Sequence, residues 1–325
     1  MRGTTRSMTA NNRRTLVTGA TGFLGCHLVP ALVKSGHDIA GTIEPGAPAT
    51  TAGLQMFPAD ISTGEGLAAA FAGAGVVIHL AARNHLLKET AEDPLAEYRR
   101  VNVEGTRKVA RAAAENGARL FIHISSVKAM GDETGDAPLE EDSPCRPGTP
   151  YGISKLESEE AAGSELSGSG TALVILRIPM VYGPGNKGNL PRMIRWANRG
   201  LPFPLFHPDN LRSMVYVGNV VHAVILAIQK ATPGVSTFIL KDLEDYSTRR
   251  LYAAICRELG KTPLFLPFPA WMAHLGGVIS RDFRKVTSSF RVSSLKIEKE
   301  LGFSPPFTLN QGIAETVRWY RCLVR

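Results

Sequence analysis

Leu16-Val17-Thr18-Gly19-Ala20-Thr21-Gly22-Phe23-Leu24-Gly25 is the stretch that decides the fold of this chain. It reads as an apolar strand, a glycine turn and the start of a helix, with Gly19, Gly22 and Gly25 in the spacing T-G-x-x-G-x-x-G. The first glycine permits a tight turn, the second lets backbone N–H groups approach a pyrophosphate, and the third lets the helix pack closely on the strand. The helix N-terminus adds partial positive charge at the same point. Three glycines alone recur by chance, so the flanks carry the weight. Arg13 to Thr18 predicts a buried parallel strand, and Phe23, Leu24, His27, Leu28, Ala31 and Leu32 fall at helical spacing in a helix reaching Ser35. Together they predict a dinucleotide-binding βαβ unit, with Gly19, Thr21, Gly22, Phe23, Leu24 and Gly25 against the cofactor.

The chain has 325 residues and 44% apolar content, enough to bury a full core in one large domain or two modest ones. Its formal charge of +8 is spread along the chain instead of gathered in a tail. That distribution suits an anionic small substrate and gives nucleic-acid binding no further support, since no basic run is interleaved with aromatics. Cys26, Cys145, Cys256 and Cys322 are far apart and lack ligand spacing, which predicts no disulfide framework, no zinc site and a cytoplasmic setting. Residues 1–12 are polar and lack an apolar core, so they read as a flexible leader and not a signal peptide. The uncharged run Leu264 to Ser280, broken by Pro267 and Pro269, is too short to span a bilayer.

Beyond the glycine turn, Asp38 to Ile43 predicts a second strand, whose end faces a cofactor's adenosine ribose. Glu44 lies one step past that end, and no Arg or Lys occurs between Lys34 and Arg83, which favours NAD over NADP. Leu54 to Ala59 and Gly75 to Ala81 predict two further strands, and Asp93 to Asn116 a single long amphipathic helix closed by Gly117. Leu120 to Ser125 then delivers Ser125 and Ser126 to the carboxyl end of a sheet, where open α/β folds bind ligands. The Gly- and Pro-rich loop Val127 to Thr149 reads as an edge or lid of such a site. The alternation predicts an α/β fold with a doubly wound parallel sheet of Rossmann type and a smaller C-terminal α/β part. The boundaries read as 13–178 for the dinucleotide half and 179–325 for the substrate half, with segments near 213–240 returning to the first.

Pro150-Tyr151-Gly152-Ile153-Ser154-Lys155 opens a helix running to about Ala162. Tyr and Lys four apart share a helix face, and a neighbouring ammonium draws a phenol of ordinary pKa ~10 towards neutrality. Such a phenol serves as a proton donor or acceptor, and Ser126 is placed to hold the reacting oxygen.

These residues, with Asp60-Ile61, His79-Leu80-Ala81-Ala82, Val101-Asn102-Val103-Glu104-Gly105-Thr106 and Val181-Tyr182-Gly183-Pro184-Gly185, make the chain resemble an extended short-chain dehydrogenase/reductase of the NAD-dependent epimerase/dehydratase family. The likeness runs from about Arg13 to Leu323. It implies Tyr151 as acid/base, Lys155 as the residue that tunes it and binds the nicotinamide ribose, and Ser126 as the hydrogen-bond partner of the sugar oxygen. It implies further cofactor contacts from Glu44, Asp60, Ile61, Leu80, Ala81, Ala82, Asn102 and Ile178, and substrate contacts from His85, Lys128, Met180, Asn189, the Leu190 backbone and Arg212. Physically, a helix N-terminus at Asn189 and the guanidinium of Arg212 are good partners for a diphosphate.

Two departures narrow the chemistry. The related sugar dehydratases carry an Asp-Glu pair directly after the active-site hydroxyl, where this chain has Val127-Lys128. Many 4-epimerases carry Asn where this chain has Met180. The resemblance implies an NAD(P)-dependent enzyme acting at C4 of a nucleotide-diphosphate sugar, a homodimer serving polysaccharide synthesis. A C4 reductase of a UDP-4-keto-6-deoxy sugar is the alternative. A reductase of a non-nucleotide carbonyl compound and a non-catalytic dinucleotide sensor are the remaining readings.

Overall fold

The computed structural model describes residues 14–47, 54–84, 91–135, 137–205, 210–267 and 289–323. Within them the strands are β1 (Arg14–Thr18), β2 (Ile39–Ile43), β3 (Gln55–Pro58), β4 (Ala74–His79), β5 (Leu120–Ser126), β6 (Ala172–Ile178), β7 (Met180–Tyr182), β8 (Phe203–Leu205), β9 (Met214–Tyr216), β10 (Val235–Ile239) and β11 (Phe265–Pro267). The helices are α1 (Phe23–Lys34), α2 (Leu67–Phe71), α3 (Pro94–Tyr98), α4 (Glu104–Glu115), α5 (Pro150–Leu166), α6 (Asn189–Asn198), α7 (Val217–Lys230), α8 (Thr248–Leu259), α9 (Leu295–Leu301) and α10 (Leu309–Leu323).

Seven strands form one parallel sheet in the order β10-β6-β5-β4-β1-β2-β3. The chain winds outward from β1 through β2 to β3, then returns to β4 on the other side, so the crevice between β1 and β4 is the switch point where doubly wound folds take their ligands. Every residue of β4, β5 and β6 is buried, as strands covered on both faces must be. One covering layer packs α1 against α7 through Leu28, Val29, Leu32, Val220, Ala223 and Val224. The other joins α2, α4 and α5 through Phe71, Val109, Ala113, Ala162 and Leu166. A separate core gathers α6, α8 and α10 around Tyr182, Ile194, Tyr252 and Ile313. Strands β7 and β9 pair beneath it.

Gly25 shows what the glycine spacing is for. A Cβ added there would stand 2.3 Å from the Ala20 carbonyl oxygen, a backbone atom that cannot move aside. Gly19 has φ +67°, a left-handed conformation that favours glycine.

The predicted single helix Asp93 to Asn116 is corrected by the structure. Asp93 caps α3 by accepting a hydrogen bond from the Ala96 N–H at 3.0 Å, but Arg99–Val103 winds as a π-helical turn before α4 resumes. Apolar spacing does not register the extra residue such a turn contains.

Two histidines lie inside the sheet. His79 on β4 and His123 on β5 stack with centroids 5.5 Å apart. His79 is bonded on both sides, Nδ1 to the Thr18 hydroxyl at 2.7 Å and Nε2 to the Thr106 hydroxyl at 2.9 Å. His123 Nε2 meets the Ser158 hydroxyl at 3.0 Å. Burial first, and the charge of Lys155 second, hold both rings neutral, lowering His79 to about 3 and His123 well below the ordinary value.

Gly25→Ala costs about 1–3 kcal/mol by overpacking the α1 contact, read as a lowered Tm. Below pH ~6.5 an unfolded chain protonates both histidines and the folded chain does not, so stability is full above that pH and falls on acidification. The slope is about 1.4 kcal/mol per pH unit for each ring, and denaturant titrations of wild type and His123→Asn between pH 7 and 5 measure it.

Candidate active site

The turn between β1 and α1 forms a cradle. Gly22 stands before α1 with no side-chain cap and no acidic residue in the first turn, so no side chain of that turn takes up the helix N-terminal N–H groups. A Cβ at Gly19 would meet the Ala81 backbone nitrogen at 2.9 Å, so the turn lies directly against the segment leaving β4. Ala81 N–H donates to the Thr18 hydroxyl at 3.3 Å, and Leu80 N–H to the Thr18 carbonyl at 3.2 Å. Gly19 N–H donates to the Thr42 hydroxyl at 3.3 Å, which brings the end of β2 and the exposed Glu44 to the same turn. A glycine-lined anion cradle opening on the switch point fits a dinucleotide's diphosphate.

Other predicted cofactor residues follow β3, end β6 or lie on the π turn. The Asp60 carboxylate accepts from both the Ser62 N–H and its hydroxyl, each at 2.7 Å, and these bonds hold its pKa below the ordinary range. Ile61 and Ile178 are buried apolar side chains. Asn102, carried by the π turn, accepts from Arg83 N–H at 2.8 Å and donates to the Arg83 carbonyl at 3.1 Å and the Ser154 hydroxyl at 3.0 Å. Its amide therefore clamps the segment after β4 to α5. Phe23, at the start of α1, makes an edge contact with His27, whose ring bonds the Pro184 carbonyl at 2.8 Å.

Ser126, Tyr151 and Lys155 come together at the carboxyl end of β5. Thr149 caps α5 by accepting from Gly152 N–H at 3.2 Å, and Pro150 opens its first turn. A Cβ at Gly152 would lie 2.4 Å from the Lys128 carbonyl oxygen, so α5 begins hard against the turn that follows Ser126. Tyr151 is hydrogen-bonded to Ser126. Its ring packs edge-on against Tyr98 with centroids 5.8 Å apart. Lys155 is 3% exposed, and its ammonium donates to the Ile124 carbonyl at 2.8 Å.

The electrostatics correct one expectation. Burial raises the Tyr151 phenol to about 12, and the Ser126 bond only partly opposes it. Burial likewise lowers Lys155 to about 8, with Glu159 opposing. The ammonium is turned to the Ile124 carbonyl, and desolvation outweighs the effect on the phenol that the four-residue spacing implied.

The substrate-side candidates lie further along. Ser126 pairs in register with Ile178, and Met180, 43% exposed, pairs with Met214 on β9. Asn189 is the first residue of α6 after the Gly188 cap position, while the Leu190 side chain is buried in the core beside Tyr182. Arg212 bridges to Tyr246 on one side and Phe290 on the other, and burial lowers its pKa to about 10. Lys128 pairs with Asp132 at 3.1 Å and lies over the Phe290 ring, 5.0 Å from its centroid. Leu139 bridges to Val292, so the loop between Ser126 and α5 is fastened to the C-terminal part near Arg212. His85 lies outside the described residues.

Sequence reading missed several residues that shape this region. Asn186 accepts from Gly188 N–H at 2.7 Å and donates to the Val181 carbonyl at 2.8 Å, building the turn that starts α6. Glu159 was legible only as one more four-residue step after Tyr151 and Lys155. Arg177 gave no signal, since a single cation inside an apolar strand reads as an edge residue. Among the described residues no cluster of His, Cys, Asp and Glu is arranged to hold a metal ion, and no helix is long and apolar enough to cross a membrane.

The comparisons with known proteins agree with this geometry. Residues 15–239 match the model of the NAD dependent epimerase/dehydratase family. A UDP-glucose 4-epimerase of Vibrio cholerae is 31% identical over 308 residues, covering 93% of this chain and 94% of the relative. The N-acetyl-alpha-D-glucosaminyl-diphospho-ditrans,octacis-undecaprenol 4-epimerase of Escherichia coli O157:H7 is 28% identical, with 95% of each chain covered. Among solved structures, the UDP-glucose 4-epimerase of Thermus thermophilus in complex with NAD superposes with a TM-score of 0.78 at 27% identity, covering 95% of this chain and 99% of that one. With its glycine cradle, its parallel sheet and a matched region longer than half its length, the chain belongs to the NAD-dependent epimerase/dehydratase family of extended short-chain dehydrogenase/reductase enzymes.

Proposed function

We propose that this protein acts at C4 of a nucleotide-diphosphate sugar as a 4-epimerase, with Tyr151, Lys155 and Ser126 as its catalytic residues. The observation that carries the reading is the Tyr151 hydroxyl hydrogen-bonded to Ser126, with Lys155 buried one helical step on, at the carboxyl end of the sheet that also holds the glycine cradle. NAD bound in that cradle supplies the hydride acceptor for C4. The protein's own part is to move one proton at the C4 oxygen and to hold that oxygen in place.

Tyr151 Oη takes the proton from the C4 hydroxyl, and the Ser126 hydroxyl bonds the same oxygen. Lys155, one four-residue step along the same helix face, is the neighbouring cation, its ammonium held on the Ile124 carbonyl; the Ser126 bond is what favours the phenolate against burial. Inversion requires the 4-keto sugar to turn over before hydride is returned to C4, and Tyr151 then gives the proton back to the C4 oxygen. Asn189 and Arg212 take the diphosphate, by a helix N-terminus and a guanidinium respectively. The 4-epimerase names of the relatives from Vibrio cholerae and Escherichia coli support this reading.

A dehydratase is disfavoured by the same turn. Val127 is buried and apolar, and the Lys128 ammonium is paired with Asp132, so the two positions after Ser126 offer no carboxyl acid and base for eliminating water. Met180 stands at the position where many 4-epimerases carry Asn, which keeps a C4 reductase as the second reading.

The test is to release and identify any nicotinamide cofactor from purified protein, then to follow interconversion of UDP-glucose and UDP-galactose, and of their N-acetylated forms. Epimerisation with no net change in NADH absorbance is the expected result. Stoichiometric oxidation of NADH with a UDP-4-keto-6-deoxy sugar establishes the reductase instead. Tyr151→Phe lowers kcat by about 100-fold or more while retaining the cofactor, and undiminished turnover overturns the assignment of the acid/base. Because Lys155 keeps its proton below about 8 and loses it above, kcat falls on the alkaline side of that value, as a pH–rate profile will show.

A further inference from the structure

We infer that Glu159, held by Arg177 and Ser125, is a positioning residue that keeps Lys155 charged and fixes α5 in register on β5 beneath the reacting groups. The inference rests on the site proposed above but concerns residues that touch neither sugar nor cofactor.

Tyr151, Lys155 and Glu159 stand at successive four-residue steps, so they line one face of α5. The Glu159 carboxylate is 6% exposed and fully engaged. It accepts a short hydrogen bond from the Ser125 hydroxyl. It also accepts from Arg177, through Nε to Oε1 at 3.1 Å and Nη2 to Oε2 at 2.7 Å. Ser125 and Arg177 are directly paired across β5 and β6. One carboxylate on the helix therefore grips two adjacent strands at the residue next to Ser126. Since Tyr151 rides on the helix and Ser126 on the strand, this grip sets the distance between them.

The arrangement is costly, as buried ion pairs are. Arg177 is 7% exposed and its Nη1 atom is buried without a hydrogen-bond partner. An apolar pair of similar size would fill the same space without that penalty, so packing does not account for it.

The charges around Lys155 give the account. Tyr151 and Glu159 face it from α5, His123 from β5, His79 from β4, and Arg177 stands behind Glu159 on β6. The two histidines are held neutral, and Lys155 contributes to that. Arg177 is a cation. Glu159 is the group that favours the Lys155 ammonium against burial. The Ile124 carbonyl gives the ammonium a dipole but no charge.

The experiment measures the Lys155 midpoint directly, in holoenzyme carrying ε-13C lysine, with the resonance assigned by its loss in Lys155→Met. In Glu159→Gln, which keeps the shape and removes the charge, the midpoint falls by about one pH unit. The alkaline limb of kcat moves the same way, kcat drops about 10-fold, and NAD affinity stays within about twofold of wild type. Glu159→Asp restores part of the shift. The double variant Glu159→Gln/Arg177→Met removes the unpaired cation as well, keeps a Tm near that of wild type, and shows the same lowered midpoint. It is read in place of the single variant if that one does not fold. An unchanged Lys155 midpoint in a folded variant overturns the inference. If the wild type turns over no UDP-sugar, the proposed function fails, and the lysine midpoint still decides this question.

Discussion

The structure depends on how closely α1 can approach β1. A helix normally stands off a sheet by the size of its side chains, and here the side chain is missing at the one place where the Ala20 carbonyl points at the helix. That approach sets the helix N-terminus at the mouth of the switch point, where its N–H groups face an incoming anion. It also lets the segment leaving β4 lie directly under Gly19, so strand, turn and the residues around Ala81 form one surface. A side chain at Gly25 would collide with the Ala20 and Gly19 carbonyls on which that surface is built.

On the other side of the sheet the same need for close approach is met by polar groups. Asn102, Ser154, Ser158, His123, Ser125 and Glu159 form a buried layer of hydrogen bonds between α5, the π turn and β5. Hydrophobic packing tolerates small slips of a helix along its axis, whereas hydrogen bonds of this kind do not. The side of the molecule that carries Ser126, Tyr151 and Lys155 is held by directional bonds. The side that holds α1 to α7 is held by leucines, valines and alanines.

Much of this was legible in the sequence. The glycine spacing, the apolar runs of β1, β4 and β5, and the four-residue step from Tyr151 to Lys155 each express a local rule, and each sits in the structure where that rule puts it. What was not legible depends on tertiary contact. No local pattern announces that Arg99–Val103 winds as a π turn, because its apolar residues remain compatible with an ordinary helix. Nor does sequence spacing report desolvation, so the raised phenol of Tyr151 emerges only when the burial around it is known. Glu159 and Arg177 are eighteen residues apart and meet only because β6 lies beside β5.

The π turn has a consequence for how the molecule can vary. One extra residue in a helical turn is a change of phase of about 100°. Before it, Tyr98 faces Tyr151 and Arg83. After it, Gly105 and Thr106 face Ile61 and His79, on the sheet side of the neighbouring layer. A single continuous α-helix cannot serve both faces, because its residues advance at a fixed angle. The segment therefore behaves as two helices with separately set rotation, joined without a loop. Residue count between Tyr98 and Gly105 is thus fixed as tightly as the identity of Asn102 within it, since losing one residue would turn either Tyr98 from Tyr151 or Thr106 from His79.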